Sequence, residues 1–198
     1  MSRVGNSSDP RVRRTRQLLL EAFMALVQEK RNIHSISIQE IAMRATVNRA
    51  TFYAHYEDKY ALVMDWSREK FQQALVHQLP ASSTLQRETL HCLILAVFDF
   101  MALSRRYSRP SNRQFELLYE MVIQQELYDL LLRWIQQVPS EIPLPEEAIE
   151  TTAQAISWAI FGPAAQWSRR DQSISKEVVA HHVLAIAVAG LSPIVTVT

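Results

Sequence analysis

The sequence predicts an all-α protein of about nine helices, an N-terminal three-helix unit followed by a longer helical body. Three observations carry this. Apolar residues recur at helical spacing through most of the chain, and no run of convincing length alternates apolar and polar as a strand does. The 198 residues hold only three glycines, Gly5, Gly162 and Gly190, too few turn formers for an all-β chain with many hairpins. The same count leaves no room for a glycine-rich phosphate loop or a dinucleotide fingerprint. With 48% apolar and 21% charged residues the composition is that of a globular protein. The single Cys92 excludes an internal disulfide framework and any all-cysteine metal cluster within one chain.

The elements follow in order. Residues 1–10 read as a polar arm ending at Pro10. From Arg11 to about Lys30, Leu19, Phe23, Leu26 and Val27 share one helical face. Ser37-Ile38-Gln39-Glu40 is a capping box, with Ile36 and Ile41 as its hydrophobic staple, and starts a helix running to Arg44. Ala45-Thr46-Val47 forms the connection. Asn48 is the next N-cap, with Val47 and Phe52 as a second staple, opening a short helix to about Ala54. Two short helices joined by a tight turn need the first helix beneath them, the tri-helical helix-turn-helix arrangement. Asp58 caps a fourth helix through about Leu79, with Leu62, Trp66, Phe71 and Leu75 on its buried side. Beyond Pro80 the expected helices are 84–103, 112–138 (one long or two shorter), 146–169 with Gly162-Pro163 inside it, and 175–190. The domains expected are the arm at 1–10, a helix-turn-helix at 11–59 and a helical body at 60–198.

The formal net charge of +1 is an average over unlike parts. Residues 1–59 carry ten basic and six acidic side chains, a net +4, and the remainder carries −3. A basic module on an acidic body suits an anionic partner such as nucleic acid. Helical geometry sends Phe52 inward and projects Arg49, Ala50 and Tyr53 outward with Thr51. A cation, a small residue, a hydroxyl and a phenol suit the major groove, where Arg reads guanine and hydroxyls reach phosphate. Lys59 in the first turn of a helix opposes the macrodipole, a placement explained if a phosphate sits there.

The run Val47-Asn48-Arg49-Ala50-Thr51-Phe52-Tyr53-Ala54-His55-Tyr56-Glu57-Asp58-Lys59-Tyr60-Ala61-Leu62 resembles the recognition-helix signature of TetR-type transcriptional regulators. Ile38-Gln39-Glu40-Ile41-Ala42 is similar to the helix before it, and the resemblance covers roughly Arg14 to Leu62. The Asn-Arg-x-Thr-Phe-Tyr-x-His-Tyr-x-Asp-Lys-Tyr variant further resembles a subgroup common in Firmicutes. The resemblance implies Arg49, Ala50 and Thr51 at bases and nearby phosphates, below the N-cap Asn48. It implies Tyr53, His55 and Lys59 on the DNA backbone, and Arg44 and Thr46 where the preceding helix approaches phosphate. Arg11, Arg13 and Arg14 would reach phosphate or an adjacent minor groove. Other readings stay open: Tyr53 as a half-buried aromatic, His55 as a C-terminal helix cap, Arg44 as a solvated charge. The family often places Gly in the turn where this chain has Thr46; a left-handed residue costs about 1 kcal/mol without glycine, so a turn of slightly different geometry is expected there.

The resemblance further implies that residues 60–198 form a ligand-binding and dimerisation domain. Small residues along the last two helices would let a second subunit approach, with Ala155, Ala159, Phe161, Trp167, Ala185, Val188 and Ala189 as the expected interface. An apolar pocket is expected from Trp66, His91, Leu95, Phe98, Met101, Phe115, Tyr119, Met121 and Trp158, for each of which plain core packing is the competing role. The function expected is a dimeric, sequence-specific regulator, a repressor released from a roughly palindromic operator by a small apolar ligand. The alternative is a body that binds a partner protein through the tyrosine- and arginine-bearing 104–113 segment.

No nucleophile–base–orienter set is visible, so no enzyme, cofactor or metal is expected. His91 beside Cys92, and His181 beside His182, are adjacent helical residues that point apart. No signal peptide or membrane span is read, and the expected location is cytoplasmic.

Overall fold

The computed structural model describes residues 9–30, 32–80, 83–105, 113–139, 145–170 and 173–192, except for the side chains of 113–115. All regular elements among them are helical: α1 (Pro10–Lys30), a 3₁₀ turn (Ile33–Ser35), α2 (Ile38–Arg44), α3 (Arg49–His55), α4 (Lys59–Gln78), α5 (Arg87–Arg105), α6 (Arg113–Gln136), α7 (Glu146–Arg169) and α8 (Lys176–Leu191). Eight α-helices and one 3₁₀ turn thus stand where about nine helices are expected. The stretch expected as one long helix or two shorter ones holds the single helix α6, and α5 starts three residues later than its periodicity suggests.

Local chemistry accounts for the helix starts. Pro10 sits where a missing N–H costs nothing, and Asp9 Oδ1 accepts from the Arg11 N–H at 2.8 Å. Both halves of the capping box form: Ser37 Oγ accepts from Glu40 N–H at 3.2 Å, and Glu40 Oε2 from Ser37 N–H at 2.9 Å. Asn48 Oδ1 accepts from Thr51 N–H at 2.7 Å, and Asp58 Oδ1 accepts from the N–H groups of Tyr60 and Ala61. The turn between α2 and α3 is a Schellman closure: Thr46 N–H reaches Met43 O at 3.1 Å, and Val47 N–H reaches Ala42 O at 3.0 Å. Thr46 occupies the left-handed position at φ 56°, the one non-glycine residue with positive φ among those described.

The chain divides into two compact units, Met1–Ser67 with Tyr107–Tyr119, and Arg68–Arg106 with Glu120–Thr198. In the first, Leu19, Phe23, Ile33, Ile36, Ile41, Phe52 and Leu62 form a core with 0–1% exposure. That core takes in Leu62 and Val63, with Trp66 packed at its edge, so the unit reaches past residue 59 into α4. In the second, α5, α7 and α8 pack on one another. Ala153, Ala164, Ala165, Ala180 and Ala187 are buried at that packing. Gly190 permits close approach: a Cβ there would stand 2.8 Å from Ile156 Cδ1.

Candidate nucleic-acid interface

α3 places the expected reading face outward. Phe52 is fully buried, while Asn48, Arg49, Ala50, Tyr53 and Ala54 are exposed and Thr51 and His55 half-buried. Thr51 donates its hydroxyl to Asn48 Oδ1 at 2.9 Å, so the N-cap fixes its rotamer. The Arg49 guanidinium donates to the Tyr53 hydroxyl at 3.1 Å and lies 5.5 Å from its ring centroid. Tyr53 is 46% exposed, between a core aromatic and a free one.

The other cations are committed differently. Arg44 forks onto Glu29 of α1, with Nη1 to Oε2 at 2.8 Å and Nη2 to Oε1 at 2.6 Å. Both partners are exposed, so the pair is worth at most ~1 kcal/mol and a phosphate can compete for the guanidinium. Lys59 is held more firmly. Its ammonium donates to the carbonyls of Ile33, His34 and Ile36 at 3.1, 3.1 and 3.0 Å, engaging all three of its protons. The 3₁₀ segment before α2 thus gives the first-turn lysine an internal cause that the macrodipole argument lacks. Burial lowers its pKa. Arg11, Arg13 and Arg14 are exposed on the first turns of α1. The Thr46 hydroxyl donates to Ala45 O at 2.7 Å, within its own turn.

His55 ends α3. Its pKa is lowered, first by burial and then by the charge of Arg16, so near neutral pH the imidazole offers an N–H rather than a positive charge.

Behind the reading face lies a network that sequence patterns miss. Arg16 of α1 forks onto Asp65 of α4, its Nε 2.5 Å from Oδ2 and its second nitrogen on Oδ1. Tyr56, the residue that closes α3, donates its hydroxyl to Asp65 Oδ2 at 2.6 Å. Burial and the hydrogen bond to Asp65 raise the Tyr56 pKa, and the bond to Asp65 raises that of Arg16. One carboxylate, 8% exposed, therefore joins α1, α4 and the end of α3. A signal existed: Asp65 stands three residues after Leu62 and beside Trp66, on the buried stripe of α4, where an acid demands a partner. Met43 of α2 was also missed, an apolar side chain 69% exposed.

The body residues divide. Phe98, Met101 and Tyr119 are buried at 0, 2 and 5%, while His91 and Leu95 are half-buried. Trp66 belongs to the first unit, and its Nε1 is buried without a hydrogen-bond partner among the described residues. The Phe115 side chain lies outside the described residues. Two expected pocket residues stand largely outward: Met121 is 63% and Trp158 52% exposed. On α6 the buried stripe is Val122, Ile123, Leu127 and Leu131, and on α7 it is Ala153, Ile156, Ser157 and Ile160, leaving Met121 and Trp158 on the outer sides.

Two expected interface residues make contacts within the chain. Phe161 is 5% exposed, and Trp167 stacks on Phe98 at 5.5 Å while its Nε1 donates to Ile174 O. Ala155, Ala185 and Ala189 are exposed, and Ala159 and Val188 half-buried. A pocket of about 120 Å³ beside Pro163, Trp167, Arg170 and Ile174 includes none of the expected lining and is smaller than the ~300 Å³ of an ordinary ligand site.

A short capped helix exposing an arginine, a small residue and a tyrosine, set on a second helix by a Schellman turn and backed by a third, defines a helix-turn-helix DNA-binding module. Comparison with known proteins agrees: residues 19–65 match the family model "Bacterial regulatory proteins, tetR family". That match supports the tetR family for this segment. The chain is also 36% identical over 75 residues to the uncharacterized HTH-type transcriptional regulator YxbF of Bacillus subtilis (strain 168), covering 38% of this chain and 20% of that protein. The matched stretch is thus about a fifth of that relative.

Among solved structures, the chain resembles Thermus thermophilus FadR, a TetR-family transcriptional repressor in complex with lauroyl-CoA, with a TM-score of 0.58 and 18% identity, covering 89% of this chain and 94% of that one. It also resembles a tetR-family transcriptional regulator from Streptomyces coelicolor, with a TM-score of 0.53 and 16% identity over 91% and 82% of the two chains. A third similar structure is FadR from Bacillus subtilis in complex with stearoyl-CoA, at 0.50 and 19% over 88% and 98%. At these identities the likeness is one of fold. Among the described residues no helix is long and apolar enough to cross a membrane, and no group of three or more His, Cys, Asp or Glu could hold a metal ion.

Proposed function

We propose that this chain is a dimeric, sequence-specific transcriptional regulator of the TetR type, a cytoplasmic repressor released from a roughly palindromic DNA operator by a small apolar ligand. The observation that carries the reading is α3. Its core face is closed by Phe52, and its outer face offers Arg49, Ala50, Thr51 and Tyr53. Arg49 is the base reader, with Tyr53 against its guanidinium, and Asn48, Thr51 and His55 flank it toward phosphate. Arg11, Arg13 and Arg14 add backbone contacts from α1, and Arg44 adds one when it leaves Glu29. Thr46 sets the approach of α2, and Lys59 acts through the carbonyls it gathers. The recognition segment groups with the Firmicutes-type variant, in keeping with the Bacillus relative.

Dimerisation is supported by α8. The helix buries Ala180, Val183, Leu184 and Ala187, yet it also exposes Val178 at 49% and Ile186 at 61%, with Ala185 and Ala189 between. These apolar residues share the exposed side of α8 with His181 and His182, and twin α7–α8 pairs with Trp158 at their rim would cover them. The effector would bind in the second unit, among His91, Leu95, Phe98 and Met101. It lowers operator affinity by its differential affinity for the two states. Lauroyl- and stearoyl-CoA, held by two of the fold neighbours, are the first compounds to try.

The test is selection of duplexes from a random pool by the full-length protein, followed by anisotropy of the enriched duplex as each acyl-CoA is added. Enrichment of a two-fold-related site, with release by ligand, is expected. Enrichment with no release by any apolar compound, and release by a protein instead, would favour the partner-protein reading. The 106–112 part of the 104–113 segment lies outside the described residues.

A further inference from the structure

We propose that Tyr53 is a positioning residue for Arg49: it holds the guanidinium along the outer face of α3 before any DNA arrives, and so sets how sharply Arg49 discriminates between bases. The inference rests on the reading of α3 as the DNA-reading helix and deepens it.

The two residues stand one turn apart, the spacing at which helical side chains meet. The tyrosine engages the arginine twice: its hydroxyl accepts from Nη2 at 3.1 Å, and its ring lies 5.5 Å from Cζ. The ring is itself anchored. It meets Phe52 edge-on at 5.7 Å, with planes at 86°, and Phe52 is fully buried in the core of the unit. Order therefore passes from the core through Phe52 to Tyr53 and then to Arg49. A long arginine at the first position of a short exposed helix would otherwise sample many rotamers, and fixing it on binding costs affinity. Having that order in place beforehand is worth about three- to tenfold at the contact Arg49 makes. A tyrosine that served only as a phosphate donor would need neither the cation–π contact nor the arginine one turn back.

The test uses the full-length protein with a duplex enriched from a random pool and the set of single-base-pair variants of that duplex. Tyr53→Leu should lower affinity for the enriched duplex three- to tenfold, with the loss concentrated at the base pair to which Arg49→Ala becomes indifferent. The double variant should bind within about twofold of Arg49→Ala alone, and the salt slope should not change between Tyr53→Leu and wild type. Tyr53→Phe, which keeps the ring and drops the hydroxyl, should recover part of the discrimination. Thermal melting checks that these half-exposed substitutions leave the fold intact.

The proposal is overturned if the two single losses multiply in the double variant. It is equally overturned if Tyr53→Leu weakens every duplex alike, the signature of a lost sequence-independent backbone contact, or if it changes nothing while Arg49→Ala relaxes specificity. Arg49→Ala without effect on any duplex would overturn the DNA-reading assignment itself, a distinguishable result.

Discussion

Thr46 is the sharpest point at which local backbone energy can be tested. At φ 56° it occupies the closing position of the Schellman turn after α2, a conformation in which a Cβ crowds the backbone. An L-residue there costs about 1–2 kcal/mol relative to glycine. Substitution to glycine relieves that cost and returns about 0.5–1 kcal/mol as extra freedom of the unfolded chain. It also removes the hydroxyl bond to Ala45 O, at 2.7 Å and on an exposed residue, worth a few tenths of a kcal/mol. Thr46→Gly should therefore stabilise by about 0.5 kcal/mol, which for a chain of this size is a rise of about 1–2 °C in Tm. Urea denaturation and thermal melting, followed by circular dichroism, measure it. Thr46→Ala is the control: it keeps the Cβ and loses the hydroxyl, and should be no more stable than wild type. If glycine proves neutral or destabilising, or if alanine gains as much as glycine, the strain assigned to this turn is refuted.

Three further outcomes follow from the same geometry. Lys59→Ala leaves the carbonyls of Ile33, His34 and Ile36 without their shared donor and should destabilise by about 1–2 kcal/mol in chemical denaturation; unchanged stability would return that lysine to a purely DNA-facing role. The Lys30 ammonium and the Ser37 N–H and hydroxyl hold the Glu40 carboxyl at about 2, below its ordinary 4.5. Because the folded value is the lower one, its contribution is present above pH 4.5 and lost as pH falls toward 2. Melting curves across that window should show a steeper loss for wild type than for Glu40→Gln, and parallel curves would contradict the capping-box electrostatics. Ile186→Glu, at a position 61% exposed on α8, should convert a dimer into a folded monomer in sedimentation velocity; a dimer that persists would move the interface elsewhere.

What could be read in the sequence was local. The caps at Ser37, Asn48 and Asp58 act within three residues, so their chemistry is written in adjacent letters, and helix starts and the outward set on α3 follow from it. At Thr46 the missing glycine pointed to a turn of different geometry, yet the threonine takes the left-handed position itself, held by the Schellman bonds around it. The Arg16–Asp65–Tyr56 network was not, because its members meet only after α1, α3 and α4 have packed. Lys59 shows the limit of a charge argument: its placement in a first turn called for a compensating oxygen, and three backbone carbonyls serve where a phosphate was expected. In the body, helical periodicity located the helices but could not say which neighbour each face meets. Met121 and Trp158, expected in a pocket, stand outward, and Phe161, expected at an interface, stands inward. The outer side of α8 carries Val178 and Ile186 together with His181 and His182, so hydropathy alone does not say whether that side meets water or a second subunit.

The central claim is that the exposed face of α3 reads DNA sequence through Arg49. It is tested most directly by the ratio of affinities for the pool-enriched duplex and a scrambled duplex of equal length, measured at one fixed salt concentration for wild type and Arg49→Ala. The account predicts a ratio of about 10³ or more for wild type. It predicts a ratio lowered by about tenfold or more in the variant, which corresponds to a loss of about 1–3 kcal/mol at one base contact, with binding to the scrambled duplex little changed. Equal ratios for the two proteins, or a wild-type ratio near one, would contradict it.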